Sequence, residues 1–123
     1  MKNLQQMQKI SKQIAAMTEE QRIELSQKMG LMTNCEGKQL SLVNTMLILT
    51  AIPSASMVGG FQQWKKVGRQ IIKGEQARAY IFIPCKKRGK NEGESDSVFF
   101  NTRAVWDISQ TEELKPEPGT VND

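Results

Sequence analysis

"GFQQWKKVGRQIIKGEQARAYIFIP" occupies residues 60–84 and carries most of the information about the fold. Its first third has helical spacing and ends at a glycine, so a short helix is expected over 61–67, closed by Gly68. "RQII" then reads as a brief strand, "KGEQ" as a turn, and "ARAYIFIP" as a β-strand. On that strand Tyr80 and Phe82 fall on one face and Ile81 and Ile83 on the other. Apolar residues on both faces predict an interior strand.

Downstream, "CKKRGKNEGESDS" is a polar loop without periodicity, basic first and acidic later. "VFFNTRAVWDI" resumes strand composition and is expected to pair antiparallel with 79–84. Residues 113–123, with two prolines and a glycine, read as a flexible tail. Upstream, Leu4, Met7, Ile10, Ile14 and Met17 recur every three or four residues, which predicts an amphipathic helix through the first seventeen. "TEEQ" follows, with Thr18 as N-cap and Gln21 three positions on. This capping box opens a second helix over 19–29 that stops at Gly30. After the loop "TNCEGKQ", Ser41 caps the apolar "LVNTMLILTAI", which Pro53 ends. Apolar nearly all round, this third helix should be the buried centre. The fold class expected is α+β, with N-terminal helices packed on a small, mainly antiparallel sheet. Residues 1–39 read as a helical segment and 40–112 as the α+β domain.

At 123 residues the chain fits one domain. Its longest apolar run, "MLILTAI", is far short of a membrane span, and nothing resembles a leader peptide, so a cytoplasmic location and no membrane partner are expected. Two cysteines fifty positions apart suit free thiols better than a disulfide framework. Histidine is absent, which excludes Ser-His-Asp and Cys-His catalysis and zinc sites with imidazole ligands. "KGE" at 73–75 is not a P-loop, because the glycine follows the lysine and GxxxxGK[ST] is missing. Asp107 and Ser109 make no acid–base pair, since their neighbours carry nothing to tune either. No enzyme and no cofactor are expected.

The net charge of +4 is unevenly spread. Residues 65–90 hold nine Lys and Arg against one acid, a balance of +8, which leaves −4 on the rest of the chain. Such segregation is the footprint of a polyanion-binding face, or of a lysine-rich solvated loop. Trp64 sits among Lys65, Lys66, Arg69 and Lys73. Aromatic rings stack on unpaired bases while Lys and Arg neutralise phosphates. The bland alternative is a tryptophan that anchors a short helix to the sheet. Asn44 has two readings as well: a hydrogen-bonding residue of the first helical turn, or an amide presented beside free helix N–H groups where phosphate binds.

"SLVNTMLILTAIP", the stretch quoted above and "VWDISQTEE" together resemble the N-terminal domain of ArdC-type antirestriction proteins of plasmids, conjugative elements and phages. The matching features are Ser41, Asn44, Trp64, Gly68–Arg69, Lys73–Gly74–Glu75, Pro84 and 107–111, within residues 40–112. The resemblance implies a small α+β domain that binds single-stranded DNA with little sequence preference. Longer family members carry a C-terminal metallopeptidase-like domain with an HExxH helix, and that activity does not carry over to a sequence without histidine.

The function expected is non-specific single-stranded DNA binding by a mobile-element protein, with protection from restriction as its setting. Trp64 would stack or support. Lys65, Lys66, Arg69, Lys73, Arg78, Lys86, Lys87 and Arg88 would contact phosphates, and Ser41 and Asn44 would add hydrogen bonds. One rival is a protein-interaction module that docks a partner through the Met-rich N-terminal helices. Another is the remnant of a longer peptidase-containing protein.

Overall fold

The computed structural model describes residues 4–87 and 97–114. Helix α1 (Leu4–Ala15) buries Met7 and Ile14, seven residues apart on one stripe, and packs on α3. Thr18 opens α2 (Glu19–Met29) with the expected reciprocal cap: its Oγ1 accepts from the Gln21 N–H at 3.1 Å, and Gln21 Oε1 accepts from the Thr18 N–H at 2.9 Å. Gly30 ends α2 with φ of 75°, a conformation that costs a glycine nothing. Helix α3 (Leu42–Ala51) starts at Ser41, whose Oγ accepts from the Asn44 N–H at 3.1 Å. No helix of the described residues is long and apolar enough to cross a membrane.

The main sheet has three strands in the order β1-β4-β3: β1 (Val58–Gly59), β3 (Ala79–Lys87) and β4 (Ser97–Asp107), all antiparallel. The pairing of β4 with β3 follows expectation, with Ala79 opposite Val105 and Lys87 opposite Ser97. Between β1 and β3 lie α4 (Phe61–Lys66) and β2 (Arg69–Ile71). A second, two-stranded sheet pairs β2 with β5 (Thr111–Glu113), and a 3-10 turn (Ile108–Gln110) joins β4 to β5. The molecule is α+β, with helices against small antiparallel sheets.

Strand β3 departs from expectation. It is an edge strand, and β4 is the central one. Its two apolar faces reflect cover by helices: Ile81 and Ile83 pack in the core with α3, while Tyr80 and Phe82 line spaces shared with α1. The Asn44 side chain donates to the Phe82 carbonyl at 3.0 Å and accepts from the Phe82 N–H at 2.9 Å. A residue that spends both backbone groups outside the ladder belongs to a non-hydrogen-bonded pair, here Phe82 opposite Thr102. Pro84 has the same phase two residues on, so its missing N–H falls on the outer edge, where the ladder needs no donor. The Asn44 side chain thereby occupies two edge groups that could otherwise pair with another chain.

The core lies between α3 and the inner face of the sheet: Met32, Ile48, Ile52, Val58, Ala79, Ile81 and Val105. Burial of such side chains contributes about 1.5–3 kcal/mol each. Within the "TNCEGKQ" loop, Asn34 is buried, and its Oδ1 accepts from the N–H groups of Glu36 and Lys38, both at 3.0 Å. Its backbone forms a parallel bridge with Val58. The loop is thereby tied to β1 and sets Cys35 beside Gly59. Cys35 and Cys85 are free thiols, both half-buried.

Candidate nucleic-acid interface

The start of α4 is fixed by the Gly60 N–H, which donates to Gln63 Oε1 at 2.8 Å. From there Trp64 turns inward. It is 1% exposed, and its Nε1 donates to the Trp106 carbonyl at 3.0 Å. Gly59 makes room for it: a Cβ there would stand 2.5 Å from Cys35 Sγ and 3.1–3.2 Å from the indole of Trp64. A ring so enclosed offers no face to a base. Of the two roles expected of Trp64, stacking and support, this geometry leaves support.

The aromatic surface beside the basic residues is made instead by Phe61 and Trp106. Phe61 is 47% exposed, its ring meets that of Trp106 edge to face with centroids 6.4 Å apart, and Lys65 Nζ lies 4.6 Å from its centroid. Phe61 and Lys65 are four apart on α4, which brings their side chains together. The indole of Trp106 donates to the Glu75 carbonyl at 3.3 Å and so holds the turn after β2 against β4. That turn passes through Gly74, with φ of 91°, and carries Lys73 and Arg78, both exposed. Arg78 reaches Glu75 at 3.7 Å, an exposed pair of little energetic weight.

Lys65 stands over the Phe61 ring, Lys66 follows it on α4, and Lys73 and Arg78 flank the turn that Trp106 holds through the Glu75 carbonyl. The other expected residues lie elsewhere or are occupied. Arg69 is engaged by Thr111: Nε donates to its Oγ1 at 2.7 Å and Nη2 to its carbonyl at 3.1 Å, which clamps β2 to β5. The carboxamide of Asn44 is spent on Phe82 in the same way, so the phosphate-facing orientation expected for it is not adopted. Ser41 is exposed at the start of α3, near the far half of β3. Lys86 and Lys87 are the last positions of β3, about 23 and 27 Å along the strand from Ala79 at the usual rise per residue. Arg88 lies outside the described residues, as do residues 89–96. A run of cations continuous in sequence therefore divides between two ends of the sheet.

Asp107 also differs from expectation, because its neighbours do tune it. It is 3% exposed; Oδ1 accepts from the Ser56 N–H at 2.9 Å and Oδ2 from Ser109 Oγ at 2.6 Å and the Ser109 N–H at 3.1 Å. Burial alone would raise its pKa, but the hydrogen bonds from Ser109, Ser56 and Met57 outweigh it and hold the carboxyl below the usual range. An ionised carboxylate fully engaged by donors is a joint between β4 and the segment before β1, not a proton shuttle.

Phe61 and Trp106 are not singled out by the sequence, in which Trp64 is the tryptophan nearest the lysines. The helical spacing of Phe61 and Lys65 was the available signal. The approach of Trp106, forty-five positions from Phe61 in sequence, depends on how β1 and β4 pair.

The sequence profile for the N-terminal domain of anti-restriction factor ArdC matches residues 3–116. The chain belongs to this family. The match takes in the N-terminal helices as well as the segment whose motifs carried the resemblance. Among solved structures, the chain is similar to the metal-free crystal structure of antirestriction ArdC protein from R388 plasmid, with 20% identity and a TM-score of 0.56 over 95% of this chain and 47% of that one. The Mn(II)-bound structure of the same protein gives 19% identity and a TM-score of 0.51 over 95% and 45%. At that identity the likeness concerns the fold, and the chain spans about half the length of the plasmid protein. No curated protein matches the chain.

Proposed function

We propose that this ArdC N-terminal domain binds single-stranded DNA with little sequence preference, in the service of antirestriction by a mobile element. The observation that carries the reading is the Phe61–Trp106 pair with Lys65 over one ring, Lys66 next to it on α4, and Lys73 and Arg78 on the turn that Trp106 holds. Exposed aromatic rings stack on any unpaired base, and the cations neutralise the phosphates between bases. Family membership points the same way. Arg69 and Trp64 serve indirectly, by fixing β2 and α4 so that the lysines and Phe61 are presented.

The test is competition between single-stranded and duplex oligonucleotides for a labelled oligo(dT) at low salt. Single strands should displace the label at lower concentration than duplex. Equal displacement by both, or no binding of the label, would remove the proposal. A protein-docking role is favoured by one feature: α2 buries none of its residues, and its Ile23 is 51% exposed. Substituting Ile23 with a charged residue should leave DNA binding unchanged if the two surfaces are independent.

A further inference from the structure

Two exposed cations outside residues 65–90 face one cleft. Arg103 lies directly opposite Ile81 in the β3–β4 ladder and so shares the core face of the sheet with Ile81 and Val105. Lys38 comes from the 33–39 loop. Together they line a cleft of about 290 Å³ between that loop and the sheet, with Ile81, Val105 and the exposed Ser41 also in its walls. Among the described residues neither cation has an ion-pair partner, the one such pair being Arg78 with Glu75. Glu36, the acid of the loop, does not line the cleft; its carboxylate accepts from Gln63 Nε2 at 2.8 Å. Backbone hydrogen bonds hold Lys38 in place. The Asn34 N–H donates to the Lys38 carbonyl at 2.8 Å and the Gly37 N–H to the Asn34 carbonyl at 3.0 Å. The Cys35 N–H donates to the Val58 carbonyl at 2.9 Å, which roots the loop on β1.

Two cations around one small space suit an anion, and a guanidinium fork matches the oxygens of a phosphate. Ser41 Oγ accepts from the Asn44 N–H and keeps its own proton to donate to such an oxygen. Position decides which anion. Strand β1 ends at Gly59, opposite Trp106, and the chain then passes Arg103: a Cβ on Gly60 would stand 3.7 Å from Arg103 Cδ. Phe61 is the next residue. The cleft therefore begins where the Phe61 surface ends, and a polyanion lying on that ring meets Arg103 and Lys38 within a few nucleotides. We infer that the cleft between the 33–39 loop and the core face of β3 and β4 holds a phosphate of the bound single-stranded DNA, gripped by Lys38 and Arg103. The inference rests on the single-stranded DNA reading and extends the path of the strand, round Gly60, from the face that carries Trp106 to the face that carries Arg103.

The test is the salt dependence of oligo(dT) affinity in Lys38→Gln with Arg103→Gln, which removes both charges and keeps most of each stem. Loss of one phosphate contact should flatten the log–log slope by about 0.7 and weaken binding about 8-fold at about 0.05 M salt. Lys9→Gln with Lys12→Gln, the same charge change on two exposed residues of α1, should leave the slope and the affinity as they are. Lys38→Arg with Arg103→Lys keeps both charges and should return the original slope, which separates lost charge from lost structure. An unchanged slope and affinity in the Lys38–Arg103 glutamine variant, or an equal loss in the Lys9–Lys12 variant, overturns the site and leaves the function in place. Poly-glutamate of matched length, bound as tightly as oligo(dT) with the same dependence on Lys38 and Arg103, overturns it as well and assigns the cleft to an acidic protein surface. No binding of oligo(dT) by the unaltered protein overturns both the site and the function.

Discussion

The side-chain amide of Asn44 makes two hydrogen bonds to one residue, Phe82, giving its carbonyl a donor at 3.0 Å and its N–H an acceptor at 2.9 Å. A single carboxamide thereby stands in for a neighbouring strand and ties α3 to the outer edge of β3. Asn44→Ala leaves both backbone groups without that partner and should cost about 1–3 kcal/mol. Asn44→Asp should cost more than Asn44→Ala at neutral pH, since it sets a carboxylate oxygen against the Phe82 carbonyl. Chemical denaturation of the three proteins, with equal m-values, checks the order.

Trp64 and Phe61 should separate cleanly. Trp64→Ala removes a ring that is 1% exposed and should lose about 3–5 kcal/mol of stability, enough to prevent folding in a marginal domain. Phe61→Ala, at a half-exposed position, should leave the melting temperature nearly unchanged and weaken single-stranded DNA binding. Thermal melts paired with a titration measure both. A stable Trp64→Ala protein would show that the ring is not part of the core.

Gly59 is required by contact, not by backbone angle. Gly59→Ala should destabilise by about 1–3 kcal/mol, because the new methyl group meets Cys35 Sγ at 2.5 Å and the Trp64 ring just beyond 3 Å. Cys35→Ala should restore part of the loss in the double variant, and a double-mutant cycle reads the coupling. Burial, and then the charge of Glu36, raise the Cys35 pKa, so thiol modification at neutral pH should be slow at this position.

Much of the fold is legible in the sequence because its signals are local. The Thr18–Gln21 box, the Ser41 cap, the stop before Pro53 and the glycine turns at 68 and 74 each depend on a few adjacent residues. Apolar alternation likewise located β3 and β4. The edge position of β3 was hidden, since a side chain thirty-eight residues away covers it and periodicity cannot distinguish that cover from another strand. The site was less legible for the same reason. Basic residues adjacent in sequence were separated by the length of a strand, and Arg69 and Asn44, polar in composition, were consumed by Thr111 and Phe82. Phe61 and Trp106 came together only through the register of β1 on β4.

Asp107 makes stability depend on acid. Its folded pKa lies below the unfolded value, so its contribution is present above the unfolded pKa of about 4 and is lost as the pH falls through the folded pKa. Asp107→Asn should lower stability at neutral pH and flatten the decline below about pH 4. Denaturation midpoints measured from pH 7 down to acid check this, and parallel curves for the two proteins would contradict it.

Electrostatic engagement of single-stranded DNA around Phe61 and Trp106 is read from the salt dependence of oligo(dT) affinity. With about four to six phosphates engaged, the slope of log affinity against log salt should be roughly −3 to −4, from about −0.7 per phosphate. In a folded Lys65→Ala, Lys66→Ala variant the slope should flatten by about one to one and a half, with weaker binding at low salt. A slope near zero for the unaltered protein, or an unchanged slope and affinity in the double variant, would contradict the account.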